Sequence, residues 1–520
     1  MERPVRTVVI GAGIGGLSAA IRLAHAGHQV TVVDMHGAPG GKMRTIASSV
    51  GPVDAGPTVM TLRSVFERLF ADVGDRLDNH VALQPEILIA RHFWHDGSKL
   101  DLFADPDATH DAIGIFAGAK AQREFAAFNA TAKRLFNGFE KPIMQAARPD
   151  ILGLTAHVLR HPRLIPAMAP GRTLAQMLAR HFSDPRLRQL FGRYATYVGG
   201  SPLQSPAVLA LIWQSEAQGV WRVEGGMHKL ARAMRDLAER LGARFLFGQV
   251  ATRIEQQAGR VSAVHLSDGR QLPADVVIFN GDPKALHSGE LGAPSQRTVP
   301  SNGVFPRSLS AFVWAFASEP SGVALAHHNV FFGKDPVAEF KDLAAGHMPA
   351  DPTLYVCAQD RGGIAPVGPE RFEIIMNGPP GYEGGPEETE TCRTRTFETL
   401  RNMGLSFSPA PGTGALTTPS GFNARFPASD GSLYGRSPHG MMATFKRPTA
   451  KTSLPGLYLA GGGVHPGAGI PMACLSGQHA AAAILNDLAS TLRSRPMAMP
   501  GGTSMESATM ASAPSRSSAS

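Results

Sequence analysis

Apolar positions along the chain switch between a helical and a two-residue period, and the switches divide it into segments. Residues 8–10 are a short apolar run, 17–26 are rich in helix formers, Gly27 stops that helix, and 29–33 form a second strand. Strand, turn, helix, strand is the first half of a Rossmann unit. From about 71 to 215 the pattern turns mostly helical, after a short β segment around the Asp96-Gly97 turn, with helical spacing clearest over 120–145 and 172–195. Residues 225–300 return to α/β character. A helix over 227–241 leads to apolar runs broken by turn signals at Ala258-Gly259 and Asp268-Gly269, which predict strands paired as hairpins. Residues 301–424 carry strand-like patches in SLSAFVWAF, TLYVCA and FEIIMN. LYLAGG, 457–462, reads as a buried strand entering a glycine loop, and 472–488 as an alanine-rich helix, so the chain returns to its first domain.

The expected class is therefore α/β. Segments 1–70, 218–300 and 425–490 build a discontinuous Rossmann-type domain, and 71–217 with 301–424 build a mixed-sheet substrate region with helices. The tail, 491–520, is rich in Ser, Ala, Met and Pro without periodicity and is expected to be disordered.

Composition supports this picture: at 520 residues, 43% apolar and 18% charged, the chain is globular with room for two or three domains. Three widely separated cysteines, Cys357, Cys392 and Cys474, give neither a disulfide framework nor a Cys-x-x-Cys pair, which favours a reducing cytoplasm. The N-terminus runs straight into a strand without the regions of a secretory signal. Net charge is +8 and unevenly spread: residues 148–193 hold eight arginines against two acids, interleaved with Leu, Ile, Met and Phe. Such a stretch is either a solvated helical surface or a face for anionic lipid. No nucleic-acid motif accompanies it, so nucleic acid is not an expected partner. Residues 454–478 lack charged side chains but contain three prolines and several glycines, unlike a spanning helix. Membrane contact would be peripheral, on the cytoplasmic side of an inner or photosynthetic membrane.

Chemistry enters with Gly11, Gly13 and Gly16, the three glycines of G-x-G-x-x-G, with Gly15 beside them. The first permits the tight turn, the second lets a pyrophosphate approach the backbone, and the third lets helix pack on strand. The helix start then faces the phosphates. Asp34, ending the second strand, is placed to accept hydrogen bonds from a ribose. Six residues later comes Gly40-Gly41-Lys42-Met43-Arg44, and then Gly56-Pro57-Thr58. A second backbone-exposing turn so soon after the ribose carboxylate suits an extended FAD better than NAD.

This layout resembles the amine oxidase and phytoene desaturase superfamily of flavoproteins. Val223-Glu224-Gly225-Gly226-Met227 is similar to the central segment of carotenoid desaturases, and His465-Pro466-Gly467-Ala468-Gly469-Ile470-Pro471 to their C-terminal flavin motif. DVVIFNGDP from Asp275 and Ser432-Leu433-Tyr434-Gly435 belong to the same resemblance, which spans about residues 5–490. It implies FAD bound at the residues named above and at Val250, Gly461, Gly462, His465, Gly469, Ile470 and Pro471. Two departures stand out: Asp34 replaces the frequent Glu, and Gly461-Gly462-Gly463 lacks the acidic residue that amine oxidases place on the ribityl chain.

The resemblance further implies an apolar carotenoid substrate, hydroxylated at C-1 and desaturated at C-3,4 by hydride transfer to FAD, with oxygen or a quinone as final electron acceptor. A multi-step phytoene-type desaturase, a carotenoid isomerase and a non-catalytic isoprenoid carrier on the same fold are the alternatives. No catalytic side chain is implied. Trp213 and Trp221 either line a polyene channel or belong to the core. His92 and His95 are spaced H-x-x-H but read as strand, where they face opposite sides, so no metal site is expected. No G-x-S-x-G occurs, which leaves a hydrolase elbow unsupported.

Overall fold

The computed structural model describes residues 4–363 and 366–493. Arg6–Ile10 is the middle strand of a five-stranded parallel sheet, in the order Leu457–Leu459, Val276–Phe279, Arg6–Ile10, Gln29–Asp34, Arg244–Phe247. A parallel sheet is covered on both faces, which is why its strands are short apolar runs; Val9, Val277 and Ile278 are fully buried. The helix Ile14–His25 packs against His228–Arg240, whose Leu230, Ala231, Met234 and Leu237 are buried.

The hairpins predicted at Ala258-Gly259 and Asp268-Gly269 form an antiparallel three-stranded sheet, Ala251–Gln257, Arg260–Leu266 and Gln271–Pro273. The three strand-like patches become Ser310–Gly322, Leu354–Ala358 and Glu370–Gly378, all in a mixed eight-stranded sheet. The short β segment around Asp96-Gly97 joins that sheet: Leu88–Phe93 pairs in parallel with His328–Phe331 and antiparallel with Lys99–Phe103.

The helices start from cap signals. Asp105 accepts from Asp107 N to open Pro106–Phe139, and the Thr173–Gln176 capping box opens Leu174–His181. The helical period read from 120 begins earlier, at Pro106, and is interrupted at Gly118, whose φ of 85° breaks the helix. Phe125, Phe128, Phe182, Phe191, Tyr194 and Trp213 fill the helical core. Residues up to Ile484 form one unit; Leu485 onward forms another, of which the described part ends the helix Ile470–Arg493. Beyond Arg493 the tail expected to be disordered lies outside the described residues. Among the described residues no helix is long and apolar enough to cross a membrane.

Candidate active site

Three glycine loops from distant parts of the chain meet around Asn280. Its Nδ2 donates to Gly11 O at 3.0 Å, and a Cβ placed on Gly15 or Gly461 would lie 2.7 or 2.8 Å from its Oδ1. A Cβ on Gly15 would also lie 2.6 Å from Gly461 N, and one on Gly16 would fall 2.1 Å from Gly11 O. Gly13 and Gly40 pair as a parallel bridge, and a Cβ on Gly41 would sit 3.3 Å from Gly13 Cα. The helix Ile14–His25 starts at Gly13 without a side-chain cap and without an acidic residue in its first turn. Its first N–H groups are thus free for an anion, and bare backbone on every side of them is what a pyrophosphate requires. The fold brings Gly11, Gly13, Gly15, Gly16, Gly40, Gly41 and Gly461 together, and these residues fit FAD.

Asp34 is buried beside this seat. Its Oδ2 accepts from Ala12 N at 2.7 Å, and its Oδ1 accepts from His36 N at 2.7 Å and pairs with His36 Nδ1 at 2.9 Å. The short side chain therefore folds back onto the turn, leaving only its unused lone pairs for a ribose. Val250 follows Gln249, whose N donates to Asp34 O, and is exposed at the same strand end.

The next loop leads toward the substrate. Lys42 is half-buried and gives its ammonium to the carbonyls of Leu433 and Ser432, at 2.5 and 3.4 Å; desolvation brings its pKa down to about 8. Met43 is buried, and a Cβ on Gly56 would strike Lys42 O at 2.0 Å. Arg44 donates from Nη2 to Thr417 Oγ1 at 2.7 Å, and burial lowers it to about 10. Thr58 Oγ1 shares a 2.8 Å hydrogen bond with Tyr355 Oη, which meets His328 Nδ1 at 2.7 Å. Behind Thr58 lies Glu373, fully buried in the large sheet. Thr58 and the Gly56 N–H pull its carboxyl partway down, yet neither oxygen completes a hydrogen bond, and burial drives its pKa well above the usual range.

Gly56, Pro57 and Thr58 on one side and Gly469, Ile470 and Pro471 on the other border a cavity of about 510 Å³. Leu178, Leu203, Ile212, Phe332, Phe340 and Ile375 supply apolar wall; Arg193, Tyr197, Glu216, Glu339 and Asn377 interrupt it. Glu216 accepts from both Tyr194 Oη, at 2.6 Å, and Tyr197 Oη. Glu339 accepts from Thr353 Oγ1 at 2.7 Å and Asn377 Nδ2 at 3.3 Å, while burial lifts its carboxyl to about 7.

The C-terminal loop is held from beneath by Arg447, which donates to Gly462 O and Tyr434 O from Nη1 and to Arg436 O from Nη2, each at 2.8 or 2.9 Å. His465 is buried and turned away from the cavity: its Nε2 meets Ala146 O at 2.8 Å, while Nδ1 has no partner.

Neither tryptophan lines this cavity; Trp213 instead borders a second, smaller one of about 320 Å³, with Phe125, Asn129 and Phe136. The Trp213 indole N–H finds Asn129 Oδ1 at 2.9 Å, and that demand turns the ring into the helical core; Ile212, Ser215 and Glu216 take the cavity side instead. Trp221 sits on the short strand Trp221–Val223, half-buried, its N–H bonded to Met60 O through the backbone. His92 is buried on Leu88–Phe93 against Leu100 O, and His95 lies past the strand end, 3.8 Å from Asp351. One cluster of metal-ligating types exists among the described residues, His327, His328 and Cys357; its imidazoles bond Arg361 O and Tyr355 Oη.

Asn280, Arg447, Glu373, Glu339 and Arg193 escaped sequence reasoning as site residues. Asn280 had a signal, its place in the familial block DVVIFNGDP, and Arg193 was counted only in a basic stretch.

Comparison with known proteins agrees with this geometry. The pattern of the family described as flavin containing amine oxidoreductase matches residues 14–311. The hydroxyneurosporene desaturase of Cereibacter sphaeroides is 57% identical over 489 residues, 94% of this chain and 99% of the relative. That of Rhodobacter capsulatus is 53% identical over 488 residues, again 94% and 99%. Among solved structures, an oxidoreductase from Methanosarcina mazei superposes with a TM-score of 0.60 at 15% identity, covering 93% of this chain and all of its own, a likeness of fold alone. With its glycine seat, uncapped helix and cavity in place, the chain belongs to the flavin-containing amine oxidoreductase family.

Proposed function

We propose that the protein is an FAD-dependent carotenoid desaturase that introduces a C-3,4 double bond into a 1-hydroxycarotenoid. The observation that carries this reading is the apolar cavity opening directly beside the loops that seat the flavin, in a chain 57% identical to a hydroxyneurosporene desaturase. When bound, FAD supplies the acceptor for the hydride that leaves the substrate. The uncapped helix start and Gly13–Gly40 would hold the pyrophosphate, and the apolar wall of the cavity would surround the polyene and exclude water. Each buried CH₂-sized unit contributes about 0.8 kcal/mol, so the hydrocarbon needs few polar contacts. Loss of the hydride would leave positive charge that the conjugated system disperses, so the neighbouring carbon could release its proton to water without a strong base.

The substrate dissolves in lipid, and we infer that the protein meets it at a bilayer surface. The helix Ile151–Arg160 buries none of its side chains; Ile151, Leu152, Leu159 and nearby Ile165 are 49, 82, 67 and 42% exposed, flanked by Arg148, Arg160 and Arg163. Apolar side chains among arginines suit an anionic interface. Oxygen or a membrane quinone would remove the electrons.

The test is expression in cells that accumulate 1-hydroxyneurosporene, with phytoene and lycopene producers as controls. A product with one more double bond, from the hydroxylated substrate, is expected. Conversion of phytoene alone refutes the reading.

A further inference from the structure

Arg193 is a cation in the wall of a cavity meant for hydrocarbon. Its guanidinium carries five N–H donors, yet its hydrogen bonding within the protein is a single long contact from Nη1 to Tyr197 Oη, at 3.5 Å. The rest of its support is aromatic: it lies over the Tyr197 ring at 5.1 Å and the Tyr355 ring at 5.6 Å. No carboxylate pairs with it within salt-bridge distance among the described residues; Glu216, held by the Tyr197 hydroxyl, acts on it by charge from farther away. A guanidinium cannot shed its proton to suit an apolar cavity, so a ligand with an oxygen acceptor is what completes this wall.

Position agrees with chemistry. An oxygen on C-1 lies about 3–5 Å from C-3 and C-4, so whatever binds it must stand close to the reacting carbons. Arg193 does: the Tyr355 ring under it hydrogen-bonds Thr58, in the loop that borders the cavity beside the flavin seat. The other acidic station of the cavity, Glu339, already has each oxygen matched, by Thr353 and Asn377.

We propose that Arg193 donates a hydrogen bond to the C-1 oxygen of the carotenoid and thereby selects hydroxylated substrates and sets which bond reaches the flavin. Tyr197 and Glu216 are positioning residues that hold the guanidinium in the wall. This inference rests on the desaturase reading above and assigns a specificity residue within that site.

The experiment uses purified FAD-loaded protein with two carotenoids in the same detergent, 1-hydroxyneurosporene and its parent hydrocarbon neurosporene. Dissociation constants and kcat/KM are measured for each. The wild type is expected to favour the hydroxylated compound by about 10- to 100-fold, the worth of one charge-assisted hydrogen bond. Arg193→Met is expected to bring both ratios toward unity, chiefly through a weaker Kd and a higher KM for the hydroxylated compound. Arg193→Gln, which keeps the polar wall but loses the charge and fork, is the second variant; retained flavin absorbance reports that each has folded. A variant that folds and keeps the wild-type ratios overturns the assignment, as does a wild type that converts both compounds equally well. A wild type that converts neither overturns the desaturase reading itself.

Discussion

Gly477 packs against Gly15 so closely that a Cβ on Gly477 would stand 2.1 Å from the Gly15 carbonyl oxygen. The helix that begins at Ile470 therefore crosses the helix Ile14–His25 with backbone against backbone, directly under the phosphate-facing turn. Gly477→Ala must push the two apart, at about 1–3 kcal/mol. A lower Tm and less FAD retained per chain are expected. Gly37→Ala, where the added methyl meets nothing within 4 Å, is the control and should leave both measurements unchanged.

Arg447 satisfies three carbonyls, of which that of Arg436 is buried and those of Tyr434 and Gly462 are half-buried. Arg447→Leu leaves the Arg436 carbonyl buried and unpaired and frees those of Tyr434 and Gly462, and a loss of about 1–3 kcal/mol follows. Denaturant melts measure it; a variant within 1 kcal/mol of wild type, a threshold set by the cost of one orphaned group at about 1–3 kcal/mol, would contradict the role given to this side chain.

Glu339 makes stability depend on pH. Its carboxyl is raised by burial from 4.5 to about 7, so the folded chain holds this proton more tightly than the unfolded chain. The stability it contributes is fully present below pH 4.5 and is lost as pH rises through 7. Glu339→Gln carries no titrating proton, so the stability difference between variant and wild type should shift in the variant's favour by on the order of 2–3 kcal/mol between acid and alkaline buffer. Parallel pH curves for the two proteins would disprove it.

Leu152 and Leu159 project from the helix Ile151–Arg160 with most of their surface exposed, at 82 and 67%. If lipid covers them, each contributes about 1.5–3 kcal/mol to binding. Leu152→Glu with Leu159→Glu should reduce co-sedimentation with anionic vesicles at least about tenfold while leaving the melting curve of the protein in detergent unchanged. Equal binding of wild type and double variant would place the membrane contact elsewhere.

The glycine loops were legible because they admit few alternatives: Gly11 sits at φ 103° and Gly40 at 116°, where a side chain is strained, and both occur beside a periodic helix or strand. Hairpins at Ala258-Gly259 and Asp268-Gly269 were legible for the same reason. Asn280 was not singled out, since its partner Gly11 is 269 residues away and only strand register brings the two together. Trp213 shows that aromatic size predicts burial without saying which cavity a ring faces: its indole N–H meets Asn129 and the ring borders the smaller cavity. Arg193 is the opposite case. Counted among eight arginines it looked like surface, although it alone of that run stacks on two tyrosine rings beneath the flavin loop.

The parallel sheet places Arg6–Ile10 beside Val276–Phe279, and that strand beside Leu457–Leu459. A ribosome delivers these strands in the opposite order of their usefulness: the phosphate turn emerges first, its second neighbour near the middle of synthesis, and the loop and helix that close the seat near the end. FAD therefore has no complete pocket to enter until Gly477 is free of the exit tunnel. Until then the first strands carry an unfinished sheet edge, the kind of edge that pairs with other chains.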